Sequence, residues 1–156
     1  MDSMIALVKQ SRDALLGRTA FLLGCLWLVF LAAIHFWPAS YWMEVHSVRV
    51  ADTQVNEPVR LYVEREIKRD FSGTWGVSVR VLDASGTFVM CAASAISEYR
   101  KGTDLPEFVD LGWWTNGQCK TLPAGSYVVY TTWQVHGNGI LPAKTINAAS
   151  NVFKVS

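Results

Sequence analysis

The order of apolar and polar residues divides the chain into two unlike parts. From Thr19 to Trp37, TAFLLGCLWLVFLAAIHFW, no residue carries a formal charge, and the next acidic side chain is Glu44. As a helix rising about 1.5 Å per residue, this stretch is roughly 28 Å long, close to the thickness of a bilayer's hydrocarbon core. It predicts a transmembrane α-helix over 19–37. Pro38 is a natural stop, and Trp37, Tyr41 and Trp42 gather where amphipathic rings meet headgroups, so 38–42 reads as an interfacial linker. Residues 1–18 space Met4, Ile5, Val8, Leu15 and Leu16 loosely as a helix would. An interfacial helix and a solvated cytoplasmic tail fit that spacing equally well.

After residue 43 the period falls to two, with turn signals at short intervals. In PVRLYVEREI, Val59, Leu61, Val63 and Ile67 alternate with Arg60, Tyr62, Glu64, Glu66 and Lys68; in GVSVRVL, Val77, Val79 and Val81 alternate with Ser78 and Arg80. Asp83-Ala-Ser-Gly86 reads as a hairpin turn leading into the return strand TFVMCAASAIS. Further strands are expected at 43–51, over FVDLGWW (108–114), at 126–135 and at 151–155, with a turn at His136–Gly139. About seven short strands in 43–156, and no helical period there, predict an all-β sandwich.

Charge sets orientation. Lys9, Arg12 and Arg18 precede the apolar segment, while Glu44 and His46 follow it before Arg49. The positive-inside rule places the N-terminus in the cytoplasm and 43–156 on the far side of the cytoplasmic (inner) membrane, in the periplasm or outside the cell. The apolar core exceeds the 7–15 residues of a cleaved signal peptide, and Pro38-Ala39-Ser40 is a poor cleavage site. Leu22-Leu-Gly-Cys25 looks like a lipoprotein box but leads into LWLVFLAA rather than a polar linker. Cys25 is therefore expected as a small apolar residue in lipid, and the segment as a retained anchor. The 43–156 part holds 11 Lys/Arg and 11 Asp/Glu with the signs interspersed, which gives nucleic acid no electrostatic footprint.

Cys91 and Cys119 are an even pair in an exported domain and predict one disulfide. With the scattered His46 and His136 they lack metal-ligand spacing. No nucleophile elbow, zincin, phosphate-loop or dinucleotide motif occurs. Glu64 and Glu66 share a strand face as solvated cross-strand partners. The sequence thus points to neither an enzyme nor a cofactor. The remaining candidates are aromatic: on a strand, Trp113 and Trp114 point to opposite faces, so one can fill the core while the other is exposed or covers the disulfide. The free tryptophan, with Tyr130 and Arg100, is the candidate partner-binding patch, since exposed Trp, Tyr and Arg anchor interfaces.

Leu122-Pro-Ala-Gly125-Ser-Tyr127 resembles the tyrosine corner, Leu-x-x-Gly-x-Tyr, of immunoglobulin-like sandwiches. The resemblance covers six residues and the strand spacing. It implies an immunoglobulin-like fold in which the Tyr127 hydroxyl bonds back to upstream backbone. One departure is plain. In antibody-type domains the second cysteine follows that tyrosine by two residues, whereas Cys119 precedes Tyr127 by eight. The disulfide is then expected to pin the segment before the corner onto the Cys91 strand. The wider run Tyr-Arg…Leu-Pro…Trp-Trp…Cys…Leu-Pro-x-Gly-x-Tyr…Thr-x-Trp is similar to small membrane-anchored proteins encoded by bacteria and their phages, a similarity that carries no activity.

These readings favour a single-pass, membrane-anchored interaction module that contacts another envelope or membrane protein, without catalysis. Two other classes share the topology: a phage-type lysis or exclusion factor that oligomerises in the bilayer, and an accessory subunit of a larger membrane complex. Gly24, Ala32 and Ala33 would let anchors pack closely, though Gly-x-x-x-Gly is missing.

Overall fold

The computed structural model describes residues 2–137 and 142–156, with side chains from Leu16 onward. The chain forms two compact units that meet between Trp37 and Pro38. The first is one helix, α1 (Asp2–His35). Its Leu16–His35 stretch, with mean hydropathy 1.9, is long and apolar enough to cross a membrane. Phe21, Leu22, Leu23, Leu26 and Trp27 are all more than half exposed, an apolar surface that runs around the helix rather than along an amphipathic stripe. The helix stops at His35, two residues before the expected boundary. Proline disfavours α-helical backbone in the residue before it, and the last turn closes with Phe36 N–H on Ala32 O and Trp37 N–H on Ile34 O.

Residues 38–42, expected as a linker, fold onto the second unit instead. Ala39–Tyr41 is a 3-10 turn. The Trp42 carbonyl accepts from the Lys68 and Arg69 amides, the Arg69 guanidinium lies 4.0 Å over the Tyr41 ring, and Trp42 packs against the core. The interfacial pattern of aromatics is thus partly domain packing.

The second unit is two antiparallel sheets. β1 (Met43–Val50), β2 (Arg60–Ile67) and the two-residue β5 (Val109–Asp110) form the first, in the order β1-β2-β5. β3 (Phe71–Asp83), β4 (Gly86–Tyr99), β6 (Gly125–Val135), β7 (Lys144–Ala149) and β8 (Phe153–Val155) form the second, in the order β4-β3-β6-β7, with β8 also on β6. The predicted alternation decides which side faces inward. Leu61 and Ile67 from the first sheet meet Val77, Val79, Tyr127, Val129 and Trp133 from the second in one buried cluster. Arg65 lies on the inward parity too; its guanidinium stacks 5.2 Å over Tyr99. Burial lowers the pKa of Arg65 and raises that of Tyr99, because desolvation disfavours each charged form.

Two expectations require correction. FVDLGWW is not a continuous strand: β5 ends at Asp110, and α2 (Leu111–Trp114) follows at once. Asp110 accepts from the amides of Gly112 (2.7 Å) and Trp113 (3.3 Å), a side-chain cap that turns the backbone out of the ladder. β7 was not foreseen, since KTINAA carries one large apolar residue and pairs by backbone along Tyr130–Val135. The turn expected at His136–Gly139 falls partly outside the described residues. β7 and β8 are separated at Ser150–Val152, where the Asn151 amide bonds both the N–H and the C=O of Val50 at 2.9 Å, tying the second sheet to β1.

The Cys91–Cys119 pair is joined, with Cα atoms 6.3 Å apart across 28 residues. Just beyond it, Leu122 is buried and the Tyr127 hydroxyl donates to the Pro123 carbonyl at 2.9 Å. A Cβ on Gly125 would sit 3.3 Å from the Tyr127 ring, tighter than normal packing, so the small residue there clears room for the tyrosine. Replacing Cys119 by Ser should lower stability by about 3 kcal/mol, through the freed unfolded-state loop. Tyr127→Phe should lower it by about 1 kcal/mol, the worth of one hydrogen bond. Urea denaturation of the full chain in detergent, followed by tryptophan fluorescence, measures both.

Candidate functional site

The candidate residues converge on the connection between β5 and β6, whose shape follows from local chemistry. After the Asp110 cap, α2 lasts a single turn. Thr115, fully buried, donates its hydroxyl to Leu111 O at 2.8 Å and accepts from the Cys119 amide at 3.0 Å. Asn116 and Gly117 carry positive φ, 52° and 81°, where asparagine and glycine are the tolerated residues. A Cβ on Gly112 would come within 2.8 Å of Lys120 Cα, so the turn and the strand approach are packed backbone to backbone. The disulfide then holds the far end to β4.

This scaffold separates the two tryptophans. Consecutive helical residues diverge by about 100°, and here that places Trp114 at 5 % exposure and Trp113 at 71 %. Trp114 stacks on Trp75 at 5.9 Å and meets the edge of Trp133 at 6.4 Å. Trp114 is core, and Trp113 is the free one. The expected separation of the pair therefore holds, although a helical turn rather than a strand produces it.

Tyr130 projects from the outer face of β6, 39 % exposed, with the Arg80 guanidinium 4.6 Å over its ring. It shares a shallow groove of about 480 Å³ with Ser78, Ala92, Ser94, Thr132 and, from the turn after α2, Asn116 and Gln118. Asn116 is three residues from Trp113, so the groove and the exposed tryptophan lie on neighbouring backbone. Arg100 does not join them. It follows Tyr99, which is opposite Phe71, whereas Tyr130 is opposite Ser78; seven residues along β3 is roughly 23 Å at about 3.3 Å each. The patch is therefore Trp113 plus the Tyr130 groove, with Arg80 in the place expected of Arg100.

Comparison with protein-family models, curated proteins and solved structures finds no match. The site must be read on its own chemistry. Among the described residues, no group of three or more His, Cys, Asp or Glu is placed to hold a metal ion.

A second surface went unforeseen. On the outer face of the first sheet, Arg60 lies 4.6 Å over the Phe108 ring and Tyr62 stands 6.3 Å from it. Beside them a cleft of about 630 Å³ is lined by Arg49, Tyr62, Glu64, Pro106 and Glu107. Arg60 and Tyr62 are outward by alternation, but their meeting with Phe108 depends on the Leu105–Phe108 approach to β5. The charged side chains lining this cleft are one arginine and two glutamates.

Trp114→Ala should cost about 3–5 kcal/mol through the cavity left between Trp75 and Trp133. Trp113→Ala should change stability by less than about 0.5 kcal/mol. Denaturation midpoints of the two variants, compared with the parent, check this assignment directly.

Proposed function

We propose that the chain is a single-pass membrane protein whose 43–156 domain is an immunoglobulin-like interaction module held on the outer side of a cytoplasmic membrane. The observation that carries this reading is Trp113. A tryptophan 71 % exposed sits on a turn braced by a side-chain cap, a buried threonine and a disulfide. A large apolar ring presented to solvent on a braced backbone turn suits an interface anchor, because the turn itself has little backbone freedom left to lose on contact.

Several features support the fold-family part of the reading. The strand orders β1-β2-β5 and β4-β3-β6-β7 suit a sandwich of that kind, and so does the hydroxyl-to-backbone bond of Tyr127 four residues upstream. The disulfide joins β4 to the segment ahead of that tyrosine, as the position of Cys119 implied. The membrane part is supported by the length and composition of Leu16–His35 and by the basic residues ahead of it. Within this reading the partner is another envelope or membrane protein, and the domain contributes recognition rather than catalysis.

The full chain, extracted from its membrane in gentle detergent, should carry a specific partner identifiable by mass spectrometry, and Trp113→Ala should release it at least tenfold more readily. An unaccompanied parent chain, or a partner retained equally by Trp113→Ala, sinks the proposal. Orientation has its own check: a membrane-impermeant thiol reagent applied to intact cells should label Cys91 and Cys119 only after reduction.

A further inference from the structure

The groove beside Tyr130 has a floor and a wall of different origin. On β3 the inward positions are Trp75, Val77 and Val79, packed on the core, which leaves Gly76 and Ser78 facing outward. Gly76 lies opposite Ser94 of β4 on one side and Thr132 of β6 on the other, and Ser78 lies opposite Tyr130. These residues line the groove of about 480 Å³, within the roughly 300–1,000 Å³ of small-ligand sites. The wall comes from elsewhere in the chain. The Cys91–Cys119 bond holds the turn after α2 against β4, and that turn contributes Asn116 and Gln118. Gly76 keeps the floor open without being required there by the fold. Its φ is not positive, and a Cβ on it would meet nothing closer than 3.9 Å.

The lining is uniform in chemistry. It holds the hydroxyls of Ser78, Ser94 and Thr132, the amides of Asn116 and Gln118 and the phenol of Tyr130, with no carboxylate, amine, guanidinium or imidazole. The cleft on the first sheet instead carries Arg49, Glu64 and Glu107, and the one beside it Asp52, Glu57 and Arg60. Arg80 stands over the Tyr130 ring but is not part of the lining. We propose that this groove binds an uncharged oligosaccharide. Each of the five hydroxyl and amide side chains both donates and accepts hydrogen bonds. An apolar protein face laid over them would strip their water without replacing it, which costs affinity. A polyanion finds no fixed cation among them. An extended peptide adds to an open sheet edge through its backbone, whereas this lining consists of side chains on a sheet face. A sugar ring offers hydroxyls that are donors and acceptors alike, and an apolar C–H face for the Tyr130 ring. The inference rests on the reading of the domain as a recognition module: it names the ligand of the groove, while Trp113 keeps its protein partner.

The test uses the full chain in a detergent without a sugar headgroup, titrated by calorimetry with cellotetraose, chitotetraose and the acidic tetragalacturonate. At least one neutral tetrasaccharide should bind with a millimolar or tighter dissociation constant, and tetragalacturonate should bind more weakly. Gly76→Leu, which fills the groove from its floor, should weaken binding at least tenfold. Thr132→Val, which keeps the shape and removes one hydroxyl, should weaken it about two- to tenfold, the worth of one hydrogen bond. Both variants should keep the parent's denaturation midpoint and the Trp113-dependent partner. Three results overturn the proposal: neither neutral tetrasaccharide binds at millimolar concentration, the acidic one binds as well or better, or a folded variant of either kind binds like the parent. A chain that captures its Trp113-dependent partner yet binds no saccharide sinks this inference alone. Saccharide binding without any captured partner supports it and sinks the protein-partner reading instead.

Discussion

Trp114, stacked on Trp75 and set edge-on to Trp133, closes the core of this domain. Trp75 and Trp133 lie directly opposite each other on β3 and β6, so the pair forms an aromatic floor in the second sheet. The first sheet, whose last strand is only two residues long, has no strand left to cover that floor. The chain covers it with a single indole delivered by a one-turn helix. The Asp110 cap, the buried Thr115, the close approach of Gly112 to Lys120 and the Cys91–Cys119 bond all serve to keep that indole in place.

The same arrangement creates the candidate surface. A helical turn short enough to bury Trp114 must send its preceding residue outward, and the next bend, at Asn116 and Gly117, runs to the groove beside Tyr130. Packing and the candidate surface therefore share one backbone turn: the segment that carries the exposed ring is fixed because its neighbour is buried. An interaction site of this kind needs no cleft and no titrating group.

Edge management is part of the architecture. Among the described strands, β1 and β4 are bulged, β5 is two residues long, and the β7–β8 edge is laced to β1 by Asn151. β4 is long and carries exposed apolar side chains, and the turn after α2 brings Asn116 and Gln118 to its Ala92–Ser94 stretch.

Much of this was legible in the sequence because it depends on neighbours within a few residues. The apolar run of α1, the period-two inward faces of β2, β3 and β6, the hairpin at Asp83–Gly86 and the cysteine pair follow from local pattern and parity. What depends on distant backbone was not legible. β7 has too few apolar residues to announce itself and exists because β6 offers it a ladder. The break at Asp110 reflects a capping geometry that competes with a strand pattern of equal local strength. Trp113 and Trp114 are identical in kind and adjacent in sequence, so no local rule can tell them apart. Only the position of Trp75 and Trp133, brought opposite each other from 58 residues apart by the β3–β6 register, decides which one the core accepts.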